Sequence, residues 1–213
     1  MHEMSAMQSI ELTTADGARV AARTFAPAQS AKATVLIAAA MGVKQDYYAD
    51  FSAWLARQGY AAMTFDYRGT GASRPKRRCT SSATAWARNC PAGARLKKVG
   101  DLPRGVILQW RRWCLNPRYH VGHEGESLRR QFAAASFPIV ALSITDDELM
   151  TERGTRVLID CYENAPRELQ LIAPSDVDAK RVGHFGFFRA QFEATLWTRV
   201  THLFKRFSTG AVT

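Results

Sequence analysis

The feature that most constrains this chain is a set of short apolar runs separated by stretches with helical spacing. Residues 33–40 (ATVLIAAA) are followed by residues 46–58, where Tyr47, Phe51, Trp54 and Leu55 recur at helical intervals until Gly59, and then by a second run, residues 60–65 (YAAMTF). Apolar runs this short suit strands covered on both faces of a parallel sheet, and the stretch between them suits an amphipathic helix. The order returns later as residues 138–144 (PIVALSI), a helical stretch over 151–163 and a strand over 168–173. Ahead of the first run, residues 9–13 and 19–25 alternate around Asp16-Gly17, a strong hairpin signal. The expected fold is α/β: a mainly parallel sheet with an N-terminal antiparallel hairpin, helices on both faces and residues 33–40 as a central strand.

Three further helical stretches are predicted. Asp101 and Pro103 mark a helix start, Val106, Ile107, Trp110, Trp113 and Cys114 share one face, and Asn116-Pro117 ends it. With a short helix over 128–135 this makes residues 101–135 a lid-like helical segment. A long amphipathic helix over 187–207 is expected to bury Phe188, Phe192, Leu196, Val200, Phe204 and Phe207.

Composition narrows the class. At 213 residues with 46% hydrophobic residues the chain suffices for one domain with a real core, and no apolar run approaches the roughly 18 residues of a membrane-spanning helix. Residues 1–10 carry no Lys or Arg and no secretory apolar stretch, and the four cysteines show no zinc spacing, which points to a cytoplasmic protein with idle thiols. No cofactor or metal is expected. The net charge of +10 is concentrated in Arg74, Lys76, Arg77, Arg78, Arg88, Arg95, Lys97 and Lys98, with no acidic residue among them. That stretch holds one aromatic residue, Trp86, and no base-reading pattern, so a solvated basic segment is expected in place of a nucleic-acid interface.

In parallel α/β sheets ligands sit beyond the carboxyl ends of the strands. The residues there are Met41-Gly42-Val43, whose N–H groups suit an oxyanion, then Asp66 to Ser73, then Asp146-Asp147, then His184 in a later loop. An acid that orients an imidazole, and an imidazole that takes a nucleophile's proton, are two parts of an acyl-transfer triad. Either feature alone has a bland explanation: Asp146-Asp147 can cap the following helix, and a single loop histidine is usually a surface residue.

The run F-D-Y-R-G-T-G-A-S-R-P (Phe65 to Pro75), the W-L-A-R-Q-G-Y before it, S-I-T-D-D-E-L-M and G-H-F-G-F-F-R resemble, in that order, bacterial α/β-hydrolase-fold proteins of the serine esterase and serine aminopeptidase kind. The resemblance covers residues 8–72 and 100–207. It implies His184 as catalytic histidine, Asp147 as the acid with Asp146 as rival, Met41 and Gly42 as half of an oxyanion hole, and a small acyl-type substrate or ligand.

The family pattern also requires a strand, a G-x-S-x-G elbow and a helix between the D-Y-R-G loop and the tryptophan helix, because the sharp turn exposes the serine hydroxyl. No G-x-S-x-G occurs in the chain; that place holds the patternless residues 74–100, a composition that deletion or out-of-frame reading of a GC-rich gene yields. Ser73 is a weak substitute, since Arg74-Pro75 does not continue into a helix. His123-Glu124 in V-G-H-E-G-E-S lacks a preceding strand, and Ser81, Ser82 and Ser127 lack an elbow. The expectation is a truncated relative without the nucleophile strand and its neighbour, catalytically impaired; the alternatives are an active acyl-ester hydrolase with an unrecognised nucleophile and a non-catalytic binding protein. Such a loss sets strands 33–40 and 138–144 side by side, or leaves open edges for self-association.

Overall fold

The computed structural model describes residues 7–73, 89–90 and 102–208, and these fall into two compact units divided between Ile107 and Leu108. The basic segment, including Ser81 and Ser82, lies outside the described residues apart from a two-residue strand.

The first unit is built on a four-stranded mixed sheet in the order β1-β2-β4-β3. β1 (Met7–Thr13) and β2 (Arg19–Phe25) form the expected hairpin, Met7 facing Phe25 and Thr13 facing Arg19, and Gly17 takes a φ of +78° in the turn. β3 (Thr34–Ala38) crosses through α1 (Ala49–Arg57) to β4 (Ala61–Phe65), which runs parallel to β3 and antiparallel to β2. The apolar spacing read from the sequence explains the crossover: Phe51, Trp54 and Leu55 are buried, and burial of side chains of this size contributes about 1.5–3 kcal/mol each. Tyr48, not Tyr47, completes that face, and its hydroxyl accepts the Ala40 N–H at 2.9 Å, tying the helix start to the end of β3. A short antiparallel pair, β5 (Asn89–Cys90) with β6 (Leu102–Pro103), also belongs to this unit.

Among the described residues β3 is not a central strand. It lies at the end of its sheet, pairs only with β4 among the described residues, and leaves Leu36 63% exposed. The run is apolar enough for a two-sided environment, but strand burial depends on neighbours, and among the described residues β4 is the one partner. β7 (Ile139–Ile144) belongs to the separate sheet of the second unit.

α2 (Arg104–Cys114) follows β6; Trp113 is half-buried, while Val106, Leu108 and Trp110 are exposed. The second unit continues with α3 (Tyr119–Glu124) and α4 (Glu126–Ala133). α3 occupies a stretch that reads as a loop, because Asn116-Pro117 signals a stop and six residues are too few to show a period. β7 then pairs in parallel with β8 (Arg167–Ile172) through α5 (Glu152–Ile159), whose first turn is capped by Thr151 Oγ1 accepting the Gly154 N–H at 3.2 Å.

The C-terminal segment begins its regular helix later than its periodicity predicts. Bonds from Gly186 N to Gly183 O and from Arg189 N to Gly186 O keep the chain in turns, a π-helical turn covers Glu193–Trp197, and α6 (Thr198–Ser208) follows. Phe192 and Leu196 are buried as expected, Trp197 joins them with its indole N–H on Phe187 O, and Phe188, Val200, Phe204 and Phe207 are half-buried. Among the described residues no helix is long and apolar enough to cross a membrane.

Candidate active site

The end of β7 positions the acids. Ile144 and Ile172 are buried at the paired ends of β7 and β8, and the next residues turn outward as Thr145-Asp146-Asp147. The structure separates the two adjacent acids. Asp146 accepts the Val182 N–H at 3.0 Å and the Gly183 N–H at 2.9 Å, one on each carboxyl oxygen. Asp147 faces His184: Nδ1 lies 3.0 Å from Oδ1 and 2.9 Å from Oδ2. The Leu149 and Met150 N–H groups both donate to Oδ1, at 2.8 and 2.7 Å, so Oδ2 is the oxygen left for the ring.

This arrangement fixes which imidazole nitrogen is available. With Nδ1 turned to a carboxyl group, Nε2 is the nitrogen that can exchange a proton with a third group. The Asp147 side chain is 11% exposed and that of His184 28%, so the acid is sheltered while the ring reaches solvent. The Phe185 ring packs edge-on against the imidazole, with centroids 4.7 Å apart. Gly183 has a φ of +64°, and at Gly186 a Cβ would fall 2.1 Å from Val182 O, so the tight loop around the histidine depends on both glycines.

Glu148 is a neighbour that sequence pattern did not single out. It pairs with Arg181 at 3.1 Å and approaches the His184 N–H at 3.5 Å; its own backbone N–H, then those two groups, hold its carboxyl below the usual carboxylate range. The signal was the third acid in D-D-E, which only the fold could connect with Arg181 and His184.

The other candidates are in the first unit. Met41 and Gly42 form a turn closed by the Val43 N–H on Ala40 O at 2.9 Å, with Gly42 at a φ of +77°, and neither Met41 N–H nor Gly42 N–H is taken by an acceptor among the described residues. Ser73 is buried, donates its hydroxyl to Asp66 O at 2.7 Å and accepts the Ala21 N–H at 2.8 Å. Its only O–H is therefore committed to backbone. His123 and Glu124 lie in α3, where Glu124 accepts the Trp113 indole N–H at 2.7 Å, and Ser127 sits in the first turn of α4.

Comparison with known proteins agrees with the architecture. The family description "Serine aminopeptidase, S33" matches residues 29–93, running past residue 72 into the basic segment. Among solved structures, an esterase of Pyrococcus furiosus is similar over 95% of this chain and 93% of its own, at 13% identity and a TM-score of 0.55. A cold-adapted esterase from an Arctic intertidal metagenomic library is similar over 95% and 94%, at 17% identity and a TM-score of 0.55. The esterase domain of a Rhodothermus marinus protein is similar over 94% and 98%, at 14% identity and 0.52. No curated protein sequence matches the chain. Sheet, crossovers and these likenesses together show the α/β-hydrolase fold, with the serine aminopeptidase likeness confined to residues 29–93.

Proposed function

We propose that this protein is a catalytically impaired relative of serine ester and amide hydrolases, which keeps the acid and the base but has lost the nucleophile segment. The observation that carries it is the His184–Asp147 contact at 2.9 Å in a chain that contains no G-x-S-x-G. In this reading Asp147 orients the imidazole and stabilises its cation, Nε2 is the proton acceptor, and the N–H groups of Met41 and Gly42, untaken among the described residues, are the remnant of an oxyanion hole. A base and its orienting acid without a nucleophile cannot form an acyl-enzyme, because Nε2 then has no attacking O–H or S–H whose proton it can take. Residues 74–100 stand where the elbow, its strand and the next strand belong, which makes the fold truncated in the middle. A small acyl compound is the ligand class the fold suggests, and the free thiols of Cys114 and Cys161 fit the cytoplasm.

Hydrolysis of p-nitrophenyl acetate and butyrate by the folded full chain tests this. The expected rates are close to those of free imidazole and unchanged, within a factor of about 3, by Asp147→Asn. A loss of a hundredfold or more in that variant, on the scale of general-base catalysis, would overturn the reading.

A further inference from the structure

A cavity of about 270 Å³ opens in the second unit between α3, α4 and the C-terminal end of α5. Pro117, Val121, Val157 and Cys161 form its apolar wall; Val121 and Cys161 are buried, and the Cys161 thiol, its pKa raised by burial, donates to Val157 O.

Four charged residues complete the lining: Arg118, Arg129, Asp160 and Glu163. Three have partners within the chain. Arg129 donates to both Glu163 oxygens at 2.8 and 3.2 Å and lies 3.4 Å from Glu126, while Asp160 has Arg167 at 3.5 Å. Arg118 differs: among the described residues its guanidinium has no carboxylate within 4 Å and no hydrogen bond, and only its backbone is engaged, the N–H donating to Asn116 Oδ1 at 2.9 Å and the carbonyl accepting the Gly122 N–H at 3.3 Å. Its charge nevertheless reaches the cavity. The Glu163 carboxyl is held low chiefly by the hydrogen bond from Arg129 and to a smaller degree by Arg118.

An apolar wall beside one unpaired guanidinium matches an amphiphilic anion. Because two carboxyl groups also line the space, a dianion such as phosphate is repelled more than a monoanion. At about 30 Å³ per water-sized group the volume takes roughly nine heavy atoms. We infer that this cavity binds a small monocarboxylate, its head on Arg118 and its apolar body against Val121, Val157 and Pro117. The site shares no residue with the His184–Asp147 pair and does not depend on the function proposed for that pair.

Calorimetric titration of the full chain with benzoate and hexanoate tests the inference. Saturable one-to-one binding is expected, about tenfold weaker for benzamide than for benzoate, as loss of one charge-assisted hydrogen bond implies. Arg118→Gln is expected to weaken benzoate about tenfold, inorganic phosphate not to displace it, and His184→Ala to leave it unchanged. Equal binding of benzamide and benzoate, undiminished binding by Arg118→Gln, loss of binding in His184→Ala, or no binding by folded protein would each overturn it. The benzoate–benzamide comparison uses the unaltered chain, so it stands even where Arg118→Gln does not fold.

Discussion

The loops after β4 and β7 start alike, with an acid within three residues of the strand end, yet they become different devices. Asp66 is 2% exposed and its carboxyl group accepts three hydrogen bonds from the chain: Gln45 N–H at 2.9 Å, Ala72 N–H at 2.9 Å and the Gln45 side-chain amide at 3.2 Å. Ser73 closes the bracket by linking Asp66 O to the Ala21 N–H. After β7 the work is divided. Asp146 secures the backbone at Val182 and Gly183, and Asp147 keeps one oxygen for an imidazole that reaches solvent. An acid whose acceptors are all used by buried backbone and amide donors is a fastener; one whose free oxygen meets a solvent-reaching ring can act on something else.

The sharpest way to break this comparison is Asp66→Ala. It strands three donors in the first unit, and a loss on the order of 3 kcal/mol is expected in urea unfolding. A loss under about 1 kcal/mol would mean that the bracket is not what holds that loop. Next is Gly71→Ala: a Cβ there would lie 2.2 Å from Asp66 Oδ2, at a φ of +45°, so about 2 kcal/mol of overpacking and backbone strain is expected by the same measurement.

The smallest stability effects belong to the second loop and separate its two acids. Asp146→Asn is expected to cost about 1 kcal/mol and to speed amide exchange at Val182 and Gly183, since a side-chain amide has one acceptor oxygen where two N–H groups need one each. Asp147→Asn should cost less, within about 0.5 kcal/mol, because an amide oxygen still accepts the Leu149 and Met150 N–H groups and the oxygen replaced faces a partly exposed ring. Its signature is spectroscopic: the histidine Nδ1–H resonance moves upfield while exchange at Val182 is unchanged. Exchange at Val182 that responds to Asp147 and not to Asp146 would reverse the assignment.

Much of the scaffold was legible because it depends on local pattern. The alternation around Asp16-Gly17 specified the hairpin, and β2 spans the residues its alternation marks. Phe51, Trp54 and Leu55 specified α1 for the same reason. What stayed hidden depends on partners distant in sequence. The apolar content of β3 says nothing about whether a second neighbour exists, and none pairs with it among the described residues. Asp146 and Asp147 are chemically identical neighbours, and only contacts 36 and 37 residues away assign one to backbone and the other to the ring. His184 stood out through its glycine-flanked motif, whereas Glu148 did not, because its partner Arg181 is 33 residues away.

The central claim is that a positioned acid and histidine survive in a chain without a nucleophile. Labelling of the folded full chain with a fluorophosphonate probe, followed by peptide mass mapping, tests it most directly. The account predicts no serine modified above the level found in unfolded protein. A single modified serine whose labelling disappears in His184→Ala would contradict it and would identify a working nucleophile.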